Sequence, residues 1–204
     1  MSKSVRQVVL PPVGRSDLGG DVAVDFFNTV SWRLDESRLQ EWLQSYLHVL
    51  AWMASAELLD DDQTSRLAQL SDEYPDNAAV EHERIVRLRD DTLDALLDGG
   101  HPDTLQRELA EAHAAARLIA TDDGWRWSVD ATSLATPRHL LALQLGRLVT
   151  SPAIARFHRC EDRDCGWVFL DTSRQHNRRW CSAADCGNRN RVRAHYARTR
   201  PQPS

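Results

Sequence analysis

Apolar residues recur along most of this chain at three- and four-residue spacing. Leu39, Trp42, Leu43, Tyr46, Leu47 and Leu50 form one stripe on a helix, and Ser37 with Gln40 fits a capping box at its start. Asp60–Asp62 open a second helix carrying Leu67 and Leu70. Asp76 or Asn77 opens a third, with Ile85, Leu88, Leu93, Leu96 and Leu97, and Gly99-Gly100 stops it. Pro102 takes a first helical position ahead of Leu105, Leu109, Ala112 and Ala116. Thr136-Pro137 begins another helix, with Leu140, Leu141, Leu145 and Leu148, and Ser151-Pro152 begins a short one. Residues 22–30, VAVDFFNTV, read as either helix or strand, and a short strand is expected around Val8–Leu10.

Between residues 117 and 130 the period changes. Leu118, Trp125, Trp127 and Val129 flank Asp122-Asp123-Gly124, which predicts a β-hairpin with Asp-Gly at its turn. The chain therefore reads as mainly α, with a multihelical N-terminal domain over residues 1–150 that carries one small hairpin. Trp32, Trp42, Trp52, Trp125 and Trp127 are expected in its core rather than around a ligand. Asn28 is either a buried polar anchor or a pocket group.

The last quarter follows a different pattern. Cys160, Cys165, Cys181 and Cys186 are the only cysteines, spaced C-x4-C-x15-C-x4-C. Two short-spaced pairs separated by a hairpin's length of chain suit a tetrahedral zinc site. Two disulfides or an iron–sulfur cluster use the same residues. Gly166–Leu170 reads as a strand, Asp171–Arg178 as a polar loop, Arg179-Trp180 as a returning strand, and the stretch after Cys186 as a helix. Knuckle, hairpin and helix make a treble-clef-like zinc finger over residues 151–204, with Trp167, Phe169 and Trp180 packed over one structural Zn²⁺. So short a module cannot bury a sufficient core alone, and metal binding supplies folding free energy on the order of 10 kcal/mol. Four cysteines complete the shell, which leaves His158, His176 and His195 as solvated residues and argues against a catalytic zinc.

Charge sharpens the division. Residues 151–204 hold 11 Arg against 5 Asp and Glu, whereas residues 1–150 hold 14 Lys and Arg against 25 Asp and Glu. Four thiolates and one Zn²⁺ lower the tail module from +6 to about +4. A basic finger beside an acidic body suggests nucleic acid as partner. No apolar stretch approaches the length of a membrane span, and the N-terminus lacks the apolar core of a secretory signal. A cytoplasmic location follows as the expectation. Paired carboxylates, a nucleophile elbow and a Gly-rich phosphate loop are all missing from the sequence, so an enzyme is not expected.

The segment around the cysteines resembles the CGNR zinc-finger family. It carries Cys186-Gly187-Asn188-Arg189, preceded in order by Cys165-Gly166-Trp167, Phe169-Leu170-Asp171 and Arg178-Arg179-Trp180-Cys181-Ser182. Upstream, Asp25-Phe26-Phe27-Asn28-Thr29 and the helical body resemble the companion ABATE domain of stress-induced transcriptional regulators. The resemblance implies a DNA-binding regulator with a structural zinc.

The candidate DNA contacts are arginines. Arg189, Arg193 and Arg200 share one helical edge, Arg191 and Arg198 widen it, and Arg174, Arg178 and Arg179 come from the hairpin loop. Such contacts mostly hold phosphates, and about four of them give a salt slope near −3.6. Operator recognition then calls for a homodimer or further contacts. The body is expected to dimerise or to hold a small-molecule effector. The rival reading is a zinc-stabilised protein-interaction module.

Overall fold

A computed structural model describes residues 18–122 and 124–199. The expected strand at Val8–Leu10 lies outside them. The described residues form two compact units. One is the helical body, Trp42–Ser151. The other joins residues 18–41 to residues 152–199. The hydrophobic pattern places the break at residue 150/151 and assigns the whole N-terminal stretch to the body. The packing instead brings residues 18–41 into the cysteine-bearing unit, and the body is an insertion between its two segments.

The body is built from α2 (Tyr46–Ser55), α3 (Asp61–Glu73), α4 (Pro75–Asp98), α5 (Asp103–Ala115) and α6 (Thr136–Val149). Asp60 caps α3 in a complete capping box with Gln63. Gly99 ends α4 in the left-handed conformation, with φ 73°. Val49, Leu50, Met53, Leu67, Ile85, Leu88, Leu105, Leu141 and Leu145 form the core. Within it lies a polar cluster that the apolar pattern does not announce. Arg138 of α6, only 2% exposed, pairs with Glu81 of α4 and with the equally buried Glu108 of α5. Arg84 joins Glu108 and Glu111 from the rim. Opposite charges brought together in this way offset their desolvation.

Two expectations for this region are corrected. The stripe from Leu39 onward does not start a helix at Ser37. Asp35 Oδ1 accepts both the Ser37 N–H and its hydroxyl, a local turn that competes with helix initiation. Leu39 is consequently exposed, and α2 begins only after Ser45. The second correction concerns tryptophans. Trp52 is buried, but Trp125 and Trp127 stand 71% and 47% exposed on the hairpin β3 (Arg117–Thr121) and β4 (Gly124–Ser128). The hairpin lies where the sequence places it, in the register Leu118↔Trp127 and Ala120↔Trp125, but Gly124 is not a turn residue: it opens β4 opposite Thr121. Cross-strand pairing satisfies its backbone without requiring either face to be covered.

The second unit starts with α1 (Val22–Phe27), capped by the Asp21 carboxylate, which accepts the Ala23 N–H. Its apolar run thus resolves as helix, with Val24, Phe26 and Phe27 fully buried. A minimal ladder follows, β1 (Val30–Ser31) with β2 (Gln40–Glu41). After the body come one 3-10 turn (Pro152–Arg156), β5 (Phe157–Arg159), β6 (Val168–Leu170), a wide turn over Ala183–Gly187 and α7 (Asn188–Thr199). The expected partner of the 166–170 strand is corrected here. β6 pairs with β5, Phe157↔Leu170 through Arg159↔Val168, whereas Arg179-Trp180 is not a strand. Residues 157–159 have an open ladder edge directly before Cys160. The Arg179 carbonyl is satisfied instead by the Glu161 N–H.

Candidate metal centre and nucleic-acid interface

The β5–β6 hairpin carries the first knuckle at its turn. The Cys160 N–H donates to the Trp167 carbonyl at 2.8 Å and the Cys165 N–H to the Asp162 carbonyl at 3.1 Å, which folds Cys160 and Cys165 toward one point. The second knuckle precedes α7. Ser182 caps the wide turn by accepting the Asp185 N–H, and Cys186 lies within that turn. All four sulfurs lie within 4.8 Å of one another, and all four residues are buried.

The geometry fits zinc. A tetrahedron with Zn–S bonds of about 2.3 Å has S···S edges of about 3.8 Å. Cys165 Sγ lies 3.7 Å from Cys181 Sγ, and Cys181 Sγ lies 3.4 Å from Cys186 Sγ. Disulfides would need S–S distances of about 2 Å, and the four cysteines are free. The thiols also perturb one another. Hydrogen bonds from Cys165, Cys181 and Cys186 hold the Cys160 thiol far below the ordinary range, while those from Cys160, Cys165 and Cys186 push the Cys181 thiol up. Four thiols this close cannot all ionise against each other, and a divalent cation at their centre supplies the charge that allows it. Phe169 packs fully buried on the cluster, with Trp167 and Trp180 partly buried around it, as the sequence led us to expect.

Residues 156–199 match the CGNR zinc finger model. Residues 20–152 match the ABATE model, whose description is "Putative stress-induced transcription regulator". The chain belongs to the ABATE family. No curated protein matches it. This ABATE protein therefore holds a single zinc site in its finger, formed by Cys160, Cys165, Cys181 and Cys186.

Around the sulfurs, several of the arginines considered for DNA are used inside the finger of the ABATE protein. Arg189 donates to Cys186 Sγ at 2.9 Å and to Asp162 Oδ2 at 3.1 Å. Arg193 pairs with Asp162 at 3.4 Å and with Asp164. Asn190 adds a 2.9 Å bond to Asp162. The Asp162 carboxylate, fully buried, thus fastens the first turns of α7 to the first knuckle. Arg178 stacks on Phe169 and donates to the carbonyls of Leu18, Trp180 and Cys181. Arg179 pairs with Glu161 and lies over Trp180, yet stays 63% exposed. Arg174, Arg191 and Arg198 are exposed. Arg200 lies outside the described residues.

Sequence reasoning missed Asp162, because it is one of three carboxylates between Cys160 and Cys165, and all three read as loop charges. It also passed over Arg156, Arg159 and Arg163, which are exposed on the same unit. Asn28 is resolved as an anchor, 3% exposed and bonded to the backbone of Val168. His158, His176 and His195 are exposed. No described helix is long and apolar enough to cross a membrane.

Proposed function

We propose that this protein is a zinc-stabilised, DNA-binding transcriptional regulator responding to stress, working in the cytoplasm and not as an enzyme. The observation that carries the reading is α7. Its twelve residues bury no side chain, contain no acidic residue, and are held to the zinc knuckle only through the first turns. A predominantly polar helix that buries none of its side chains gains little from its own unit and suits a groove lined by phosphates. Arg191, His195 and Arg198 recur at four- and three-residue spacing, so they share the edge turned away from Asp162. That edge meets DNA. Tyr196, 68% exposed, and Val192, 45% exposed, flank it. Arg174 and Arg179 serve a second phosphate run. Arg189 and Arg193 act by holding the helix in place, and Arg178 by bridging the carbonyls of Leu18, Trp180 and Cys181, rather than as leading contacts. The acidic body senses an effector or joins two copies into a homodimer, which supplies the contacts that one finger lacks.

The experiment is a titration of zinc-loaded protein against its own upstream region and against random duplexes at several salt concentrations. Tighter binding to the upstream region is expected. Arg191→Ala and Arg198→Ala are each expected to lower the salt slope by about 1. No binding at low salt, with one zinc per chain confirmed, would transfer the case to a protein-interaction module.

A further inference from the structure

We infer that residues 18–41 are a working part of the metal centre, so that zinc retention depends on them. The ABATE model includes residues 20–41 with the helical body. Their contacts point to the finger. The Asn28 side chain acts as a one-residue strand on the open edge of β6: its Nδ2 donates to the Val168 carbonyl and its Oδ1 accepts the Val168 N–H, both at 2.9 Å. The Leu170 N–H on the same edge donates to the Gly19 carbonyl at 2.9 Å. Backbone groups this deeply buried require such partners.

Three of the four cysteines are tied to the segment. Cys165 is reached directly, because its carbonyl accepts the Arg33 N–H at 3.1 Å. The next residue, Gly166, sits at φ 74°, and a Cβ there would stand 2.6 Å from the Arg33 Cβ. The chains approach so closely that only glycine fits. Cys181 is reached through Arg178, whose guanidinium bridges the Cys181 and Leu18 carbonyls. Cys186 is reached through Arg189, which donates to its sulfur while lying 4.6 Å over the Trp32 ring. Trp32 itself holds a left-handed backbone at φ 58°, rare for a bulky residue. Arg38, 3.9 Å from the same ring, closes the stack and pairs with Asp164 of the first knuckle. The Trp167 indole N–H adds a 2.9 Å bond to the Val30 carbonyl. Partners that orient a metal's ligands set how firmly the metal is held. Because order in 18–41 and zinc in the cluster support each other, removal of either loosens the other.

The test uses the full-length zinc-loaded protein and a chromophoric chelator. Asn28→Ala and Trp32→Ala should release zinc at least ten-fold faster than the wild type, while Trp125→Ala, on the body's exposed hairpin, should release it at the wild-type rate. In the wild type, stripping zinc with EDTA should open the Arg33–Leu34 bond to trypsin, with cleavage sites read by mass. Wild-type release rates in both variants would overturn the inference, as would an Arg33–Leu34 bond equally protected with and without zinc. If Asn28→Ala fails to accumulate, Trp32→Ala and the trypsin measurement on the wild-type chain still decide. None of these readouts involves DNA, so the outcome is separate from that of the proposed regulator.

Discussion

Asp162 and His139 show how much a single buried polar group decides in this protein. Asp162 is fully buried and receives Arg189, Asn190 and Arg193. Removing the shared carboxylate takes one partner from each of these three side chains. The loss of such charged hydrogen bonds costs about 1.5–3 kcal/mol apiece at most, since Arg193 keeps Asp164 and Arg189 keeps Cys186. Asp162→Ala should therefore lower the thermal midpoint of the zinc-bearing unit and detach α7. Faster hydrogen exchange confined to residues 188–199 would record the detachment. His139 makes the opposite point in the body. Burial, reinforced by the Arg138 charge, lowers its pKa from the ordinary 6.5, against the pull of Glu111, Glu81 and Glu108. The unfolded chain then binds the proton more readily than the folded one. Its contribution to stability is complete above about pH 6.5 and is lost as pH falls below that value. The melting temperature of the body should drop between pH 7.5 and pH 5.5, and His139→Gln should flatten the drop.

At the scale of elements, exposure separates two tryptophan populations that look alike in sequence. Trp52 lies on α2 with 3% of its surface exposed, and Trp52→Ala should cost about 3–5 kcal/mol in urea denaturation. Trp125 stands 71% exposed on β4, and Trp125→Ala should change stability by less than about 0.5 kcal/mol. A helix pattern of period 3.6 was legible for α3, α4 and α5, because one face of each is buried and the other solvated, whereas α6 is enclosed on most sides and exposes only Arg147. The start of α2 was not legible, since the apolar stripe at Leu39–Leu43 continues through a segment where Asp35 captures Ser37 and Gln40–Glu41 pairs with β1. The β5–β6 pairing was equally illegible. The short run Phe157-His158-Arg159 carries no alternation strong enough to mark a strand, and only the ladder with Val168–Leu170 makes it one.

At the scale of the whole molecule, metal and body are separable in their folding. Chelation of zinc, or Cys181→Ser, should unfold the second unit while α2–α6 keep their helicity. Far-ultraviolet circular dichroism with a zinc count would read both at once. Retention of one zinc per chain in Cys181→Ser would contradict the four-ligand site. The expectation rests on where each unit finds its driving force. The body buries a leucine-rich core of its own, whereas the second unit centres on four sulfurs, Phe169 and the short α1.

What the sequence by itself determined is what depends on local spacing: the helical body, the hairpin at Asp122–Gly124, the four zinc ligands and the excess of arginine after residue 151. Cysteine spacing encodes a metal site because one tetrahedron dictates the loop lengths that reach it. Tertiary structure alone decided which residues serve that site from a distance. Asn28 and Val168 are 140 positions apart, yet they exchange two backbone-type hydrogen bonds. Nothing in the periodicity around either residue encodes that meeting. The same holds for the arginines. Charge is countable in sequence, but whether a guanidinium faces solvent or a buried Asp162 depends on which side of α7 the first knuckle is folded against.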